Sequence, residues 1–154
     1  MLEKVGFCSD DWLYVLGDTI DRGQNSEDMR QFLRYILRHR NVELLLGNHE
    51  QMALKNAVLF EGPQKSLSEL TVLEDRNYRL WMANGGETTL EMFQKMSGSE
   101  TNRILELFRE APLYKEVFIG DKRFVLFHSG LGGYQPESLW SDIPNGNCFG
   151  IARN

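Results

Sequence analysis

The feature that most constrains the fold of this chain is a pair of apolar runs, each of which ends in a polar motif. Residues 13–16 (Leu-Tyr-Val-Leu) lead into Gly-Asp-Thr-Ile-Asp-Arg-Gly at 17–23, and residues 44–46 (Leu-Leu-Leu) lead into Gly-Asn-His-Glu at 47–50. Ligands of open α/β sheets bind beyond the carboxyl ends of the strands. The pair therefore predicts two strands whose ends carry oxygen and imidazole donors, which suit a divalent metal, and an arginine, which suits a phosphate.

The segment between the two motifs has the pattern of an amphipathic helix. Its apolar residues recur at i, i+3, i+4, i+7 and i+8, and they are Met29, Phe32, Leu33, Ile36 and Leu37. Ser26 is expected to be the N-cap of this helix, and Thr88 that of a later one. With strands predicted at 12–16 and 42–46, the helix completes a βαβ unit, whose two strands are parallel.

The rest of the chain predicts helices and then a hairpin. Apolar spacing and turn residues place several helices within residues 51–111, which we interpret as an all-helical insertion. Residues 114–119 and 123–127 flank a Gly-Asp-Lys turn and predict a β-hairpin, after which residues 132–154 are expected to be irregular. The predicted architecture is one α/β domain over residues 1–154.

Charge and composition exclude several classes of function. The formal net charge of -5 argues against a general nucleic-acid surface, which needs a basic stripe. The two cysteines, Cys8 and Cys148, lie at opposite ends without metal-ligand or disulfide-framework spacing. No apolar run reaches the roughly 18 residues of a membrane span. We therefore expect a cytoplasmic protein that binds neither nucleic acid nor membrane.

The two polar motifs resemble the GDxxDRG and GNHE motifs of metallophosphoesterases, the calcineurin-like phosphoesterase superfamily. The closest resemblance is to the serine/threonine protein phosphatase type, in its bacterial and phage branch, and it runs through most of the chain. Residues 81–89 (Trp-Met-Ala-Asn-Gly-Gly-Glu-Thr-Thr) resemble the WxxNGGxxT stretch of bacterial members. The resemblance implies an α/β fold in which a β-sheet sandwich is flanked by helices, with a helical insertion.

The resemblance also implies a centre of two divalent metal ions. By analogy, Asp18 bridges both ions, whereas Asn48 and His128 bind one of them. Manganese is the metal that the resemblance favours, with iron or zinc as alternatives. Taken alone, Asp18 could instead cap a turn, and His128 could be a structural histidine after an apolar strand.

The same resemblance assigns catalytic roles to the remaining motif residues. His49 is similar to the general acid that protonates the leaving oxygen of a phosphate ester, with Asp21 as its orienting carboxylate. Arg22 would bind phosphate oxygens, although a surface ion pair is the alternative. Asn84 is placed near the substrate, its alternative being a tight turn before a helix. Glu50 is expected only to complement the dipole of the helix that follows Gly-Asn-His-Glu.

Two motifs of the resembled family do not occur in this sequence. The family has an Asp-x-His motif at an earlier strand, but neither His39, His49 nor His128 follows an aspartate at that spacing. A later Gly-His motif is also absent, and the stretch at Trp140 reads Trp-Ser-Asp, where the family often has an arginine. We therefore expect a domain that is incomplete at both ends and largely retains one of the two metal sites.

The function that the resemblance implies is metal-dependent hydrolysis of phosphate monoesters, and the substrate that it favours is phosphoserine or phosphothreonine in a protein. The expected partner is a phosphorylated protein or a small phosphoester, and the oligomeric state stays open. One alternative is a dinucleoside tetraphosphatase of the same superfamily. A second alternative is a non-catalytic remnant that acts as a binding module.

Overall fold

The computed structural model describes residues 2–129 of the chain as a mixed α/β fold. Five α-helices span Ser26–Arg38 (α1), Asn48–Lys55 (α2), Val72–Ala83 (α3), Glu87–Gln94 (α4) and Gly98–Glu110 (α5). Four strands span Leu13–Val15 (β1), Val42–Leu44 (β2), Tyr114–Ile119 (β3) and Lys122–Phe127 (β4). Short 3₁₀ turns span Leu2–Val5, Ala57–Leu59 and Leu67–Glu69. The predicted α/β class is therefore confirmed.

The first half of the described chain is the predicted βαβ unit. Strands β1 and β2 are parallel, with Leu13 opposite Val42 and Val15 opposite Leu44. Each strand is shorter than predicted, because the chain leaves the regular ladder just before its polar motif. The backbone remains tied beyond the ladder, since Leu45 N donates to Val15 O at 2.8 Å. Both motifs consequently emerge at the same edge of the sheet.

Helix α1 forms as its apolar spacing predicts, but its N-cap is not Ser26. Asn25 has an extended backbone, and its side chain accepts a hydrogen bond from Glu27 N at 2.9 Å. Ser26 is the first helical residue and is buried. The side-chain oxygen of Asn25, one residue before the expected serine, thus accepts the N–H of Glu27 and caps the helix.

The predicted N-cap of α4 is also corrected by the structure. Gly86 occupies that position, so Thr88 lies within the first turn of the helix. The Thr88 hydroxyl instead donates to Gly23 O at 3.1 Å. The threonine thereby ties the start of α4 to the end of the first motif.

One apolar core joins the βαβ unit to the helices that follow it. Its most buried members come from α1, β2, α3, α4 and α5, and they include Leu33, Leu44, Trp81, Met92, Ile104, Leu105 and Phe108. Phe60 packs edge-on against Trp81 and Phe93, with ring centroids 6.2 and 4.8 Å apart. The helices within residues 51–111 therefore share their core with α1 and β2.

Strands β3 and β4 form the predicted hairpin. They pair in antiparallel register from Tyr114 opposite Phe127 to Ile119 opposite Lys122. Strand β4 begins one residue earlier than predicted, at Lys122. Leu46 N donates to Pro112 O at 2.9 Å, which ties the approach to β3 to the end of the second strand. The predicted irregular stretch at 132–154 lies outside the described residues. Within residues 2–129, no helix is both long enough and apolar enough to cross a membrane.

A partly buried carboxylate joins α1 to α5. Glu100 accepts hydrogen bonds from Arg30 at 2.8 and 3.1 Å and from Arg34 at 2.5 Å. These bonds, first those from Arg30 and then that from Arg34, lower the pKa of Glu100 from 4.5 to about 2. A carboxyl whose pKa is lowered by folding stabilises the fold above its ordinary pKa and loses that contribution on acidification.

We predict that Glu100→Gln lowers the free energy of unfolding at pH 7 by about 1–3 kcal/mol, the usual range for hydrogen bonds to a charged group. Because the native pKa lies below the unfolded one, the difference between variant and wild type shrinks as the pH falls from 4.5 to about 2. Urea unfolding at pH 7 and pH 3 measures both effects. Glu91→Gln, which breaks an exposed pair with Lys95, is the control and costs about 0.5 kcal/mol or less. An equal loss for Glu100→Gln at both pH values would contradict the prediction.

Candidate active site

Two glycines let the polar motifs approach each other closely. Gly17 has a φ of +77°, and a Cβ at this position would lie 2.6 Å from the Cα of Gly47. A Cβ on Gly47 would in turn lie 2.5 Å from the amide nitrogen of Asp18. Any side chain at either position would force the two loops apart. The backbone contact places Asp18 beside Asn48 and His49.

Glu50 connects the same two loops through its carboxylate. The side chain is fully buried and accepts hydrogen bonds from Asp18 N at 2.9 Å, Thr19 N at 2.6 Å, Thr19 Oγ1 at 2.8 Å and Gly47 N at 3.0 Å. The contact to Gly47 is the half of a capping box in which the N3 glutamate accepts from the N-cap N–H, and the spacing of Gly-Asn-His-Glu could have revealed it. The contacts to Asp18 and Thr19 could not be found in the sequence, because they lie more than 30 residues away. Glu50 therefore has a larger role than the expected dipole interaction.

The three predicted metal ligands converge at this edge of the sheet. His128 Nε2 lies 2.9 Å from Asn48 Oδ1 and 3.3 Å from Asp18 Oδ1. His128 Nδ1 lies 2.6 Å from Leu16 O, a carbonyl that can only accept, so Nδ1 carries the hydrogen. With the hydrogen on Nδ1, Nε2 could coordinate a cation together with the two oxygens, and a backbone carbonyl behind Nδ1 is the usual support of a metal-binding histidine.

The donor set therefore fits a first-row divalent cation, with one carboxylate, one amide oxygen and one imidazole. Among residues 2–129, no group of three or more histidine, cysteine, aspartate or glutamate side chains is arranged to bind a metal.

His49 and Asp21 form a buried pair next to the metal ligands. His49 Nδ1 lies 2.7 Å from Asp21 Oδ2, and both side chains are almost completely buried. His49 Nε2 lies 3.9 Å from Asp18 Oδ2. The ring is therefore bound on one side by Asp21, and its second nitrogen faces the carboxylate of the predicted metal site.

Arg22 lies at the surface of the site, supported by the turn between α3 and α4. Its Nε donates to Asn84 O at 3.1 Å, and its backbone N donates to Gly85 O at 3.1 Å. A Cβ on Gly85, whose φ is +94°, would lie 2.8 Å from Arg22 Cγ. No carboxylate among the described residues forms an ion pair with Arg22, so the surface-pair alternative does not apply there. Asn84, predicted near the substrate, contacts Arg22 and supports its guanidinium.

Two contacts of Asp21 were missed by the sequence reasoning. Trp81 Nε1 donates to Asp21 Oδ2 at 2.9 Å, and Thr89 Oγ1 donates to Asp21 Oδ1. Both residues belong to the WxxNGGxxT stretch, which the resemblance places near the substrate and whose alternative is a tight turn before a helix. The motif itself was the available signal, but its spacing does not tell which loop the two side chains contact.

The first motif has an unusual backbone. Asp18, Asp21 and Arg22 have positive φ values of 54°, 65° and 53°. Left-handed conformations cost a residue with a side chain about 1–2 kcal/mol each, and such residues cluster at functional sites. The hydrogen bonds from the motif to Glu50 and Thr89 offset this cost. The strained turn is what directs Asp18, Asp21 and Arg22 toward one edge.

Comparison with known families agrees with this geometry. The family model of the calcineurin-like phosphoesterases matches residues 1–148, which include both polar motifs and every residue of the site. No curated protein matches the chain significantly. Because the family match covers nearly the whole sequence, the chain belongs to the calcineurin-like phosphoesterase family, a family of metallophosphoesterases.

Proposed function

We propose that this protein hydrolyses phosphate monoesters with the help of divalent metal, using the site at the ends of β1 and β2. The observation that carries the proposal is the approach of Asn48 Oδ1 and Asp18 Oδ1 to His128 Nε2, at 2.9 and 3.3 Å, beside the His49–Asp21 pair. One carboxylate oxygen, one amide oxygen and one ring nitrogen within reach of each other form a donor set that suits a first-row divalent cation. A phosphate ester bound to that cation would lie next to His49.

Asp18, Asn48 and His128 would hold the metal ion, with Asp18 shared if a second ion binds. A bound divalent cation supplies Lewis acidity, which activates water and neutralises charge on the phosphate. Manganese fits this mixture of carboxylate, amide and imidazole, and iron and zinc are the alternatives. Leu16 O keeps His128 in the tautomer that leaves Nε2 available for coordination.

His49 is proposed to deliver a proton to the leaving oxygen of the ester. Its Nδ1 donates to Asp21, so the proton that it transfers is the one on Nε2. Asp21 fixes the orientation of the ring and compensates the charge of the doubly protonated imidazole. His49 Nε2 lies 3.9 Å from Asp18 Oδ2, so the proposed acid is next to a proposed metal ligand. The acid and the predicted metal site therefore act on the same phosphate.

Arg22 is proposed to bind the phosphoryl oxygens. Its guanidinium is exposed. Its Nε donates to the backbone carbonyl of Asn84, an uncharged acceptor that leaves the positive charge of the arginine unneutralised. A charged donor of this kind binds the equatorial oxygens of a phosphate and stabilises the charge that develops in the transition state.

The substrate class that we propose is phosphoserine or phosphothreonine in a protein. The intact Asp-Arg-Gly turn and the Asn-Gly-Gly turn, which are joined through Arg22, favour the protein phosphatase type. A dinucleoside tetraphosphatase of the same family is the second candidate. A binding module without catalysis is the candidate of a different class, favoured by the small number of ligands for a second metal ion.

We predict that the 154-residue chain hydrolyses p-nitrophenyl phosphate in the presence of Mn²⁺. His49→Ala should lower kcat about 100-fold or more, because it removes the general acid. Release of p-nitrophenolate measures the rate. His39→Ala, an exposed histidine at the end of α1, is the control and should keep the wild-type rate. A folded wild-type chain that binds Mn²⁺ without hydrolysis would support the binding module instead.

We predict that Asp18→Asn and His128→Ala each weaken Mn²⁺ binding by at least about tenfold, since each removes one ligand of a small donor set. Isothermal titration calorimetry measures the affinity without reference to activity. His49→Ala should bind Mn²⁺ as the wild type does, because His49 is bound to Asp21. Unchanged affinity in both ligand variants would place the metal elsewhere.

We predict that phosphoserine and phosphothreonine peptides are hydrolysed with a higher kcat/KM than a dinucleoside tetraphosphate. The physical reason is that the exposed guanidinium of Arg22 suits the oxygens of a single phosphoryl group. A substrate panel assayed by phosphate release and chromatography compares the two classes. Preference for the dinucleotide would favour the second candidate.

A further inference from the structure

Segment 81–89, which runs from the end of α3 through the turn into α4, contacts the side chains proposed to do the chemistry. Asp21 Oδ2 accepts from Trp81 Nε1 at 2.9 Å as well as from His49, and Asp21 Oδ1 accepts from Thr89. The Thr89 hydroxyl also accepts from Asp21 N at 2.9 Å. Thr89 thus closes a small ring of hydrogen bonds with both the backbone and the carboxylate of Asp21.

This ring and the indole restrict a carboxylate that would otherwise be able to turn. The torsion between Cβ and the carboxylate of an aspartate has a broad, shallow preference. With His49 as its only partner, Asp21 could rotate and carry the imidazole with it. Donors on both oxygens leave one orientation in which Asp21, His49, Trp81 and Thr89 are all satisfied. In a buried site, removing one of these donors leaves a carboxylate oxygen without a partner, which costs free energy.

The two donors are themselves fixed by packing. Trp81 and Thr89 are completely buried, and the Trp81 ring packs edge-on against Phe60. The turn between them is equally constrained, because a Cβ on Gly86 would lie 2.8 Å from the Trp81 ring. The spacing of Trp81 and Thr89 is therefore set by the α3–α4 turn and not by Asp21.

We propose that Trp81 and Thr89 are positioning residues for the proton-transfer step, holding Asp21 and, through it, His49 in the orientation that acts on the leaving oxygen. The same segment supports Arg22 through Asn84 and Gly85, so one turn aligns the acid and the phosphate-binding arginine. The inference rests on the proposed function only in the effect on proton transfer to the leaving oxygen. The orientation of His49 is testable in the absence of any substrate.

Three variants separate positioning from packing. Thr89→Val keeps the shape of the side chain and removes the hydroxyl, whereas Thr89→Ser keeps the hydroxyl. Trp81→Phe removes the indole N–H but retains an aromatic ring against Phe60. Thr101→Val, the same change at a buried threonine of α5, is the matched control for stability.

The first readout is the imidazole N–H resonance of His49 in the free, metal-free protein, observed by ¹H–¹⁵N NMR and assigned with His49→Gln. We expect a slowly exchanging, hydrogen-bonded proton in the wild type, in Thr89→Ser and in Thr101→Val. Thr89→Val and Trp81→Phe should shift this signal and accelerate its exchange about tenfold or more. An unchanged signal in both variants would overturn the proposal, and Trp81→Phe decides it if Thr89→Val does not fold.

The second readout is the dependence of kcat on the leaving group. Phenyl phosphate needs a proton on its leaving oxygen, whereas 2,4-dinitrophenyl phosphate hardly does. Thr89→Val should lower kcat on phenyl phosphate about 10- to 100-fold, the scale of a misplaced catalytic group, with little change on the dinitrophenyl ester and in KM. Thr89→Ser should restore the rate. Equal losses on both esters would show a merely structural role for Thr89.

The two readouts also separate this inference from the proposed function. A wild-type chain that hydrolyses neither ester contradicts the phosphatase proposal, and the His49 resonance still decides whether Trp81 and Thr89 position the imidazole. Hydrolysis by the wild type with an unchanged resonance in both variants upholds the phosphatase and overturns the positioning.

Discussion

The buried carboxylate of Glu50 is the interaction on which the rest of the site depends. It lies in the first turn of α2 and accepts backbone hydrogen bonds from the loop after β1 and from the loop after β2. Without it, the N–H groups of Asp18 and Thr19 would have no acceptor at the point where two glycines allow the loops to touch. Buried N–H groups without partners are costly, so this carboxylate determines how Asp18 faces Asn48.

A second layer of contacts places the reactive groups on that frame. His128 follows β4 of the hairpin, and its ring Nδ1 is bound to Leu16 O, directly after β1. His49 is bound to Asp21, and Asp21 also accepts a hydrogen bond from Trp81 at the end of α3. Elements that are far apart in sequence thus each contribute one face of the site. The strained backbone of the first motif is stable because these contacts surround it on several sides.

Sequence reasoning was accurate where a pattern repeats or a motif is contiguous. The stripe of α1, the parallel pairing around it, the hairpin and the approach of Asp18, Asn48 and His128 were all predicted and are present. It failed at the helix starts, where Asn25 and Gly86 replaced the expected Ser26 and Thr88. Several neighbouring residues can cap a helix. Which of them does so depends on which side chains already bind partners in other parts of the fold. Thr88, for example, is bound to Gly23.

The sequence by itself determined the family, the α/β class and the kind of chemistry, because those depend on residue types at short, fixed spacings. The two motifs carry the donors that we propose for a metal and a phosphate, and these residue types are present regardless of how the rest of the chain packs. Only the tertiary structure decided that Glu50 ties the loops together and that Trp81 and Thr89 contact Asp21. These contacts join residues 31 to 68 positions apart, and periodicity and motif spacing describe only neighbours along the chain. Their geometry follows from the packing of α2, α3 and α4 around one core.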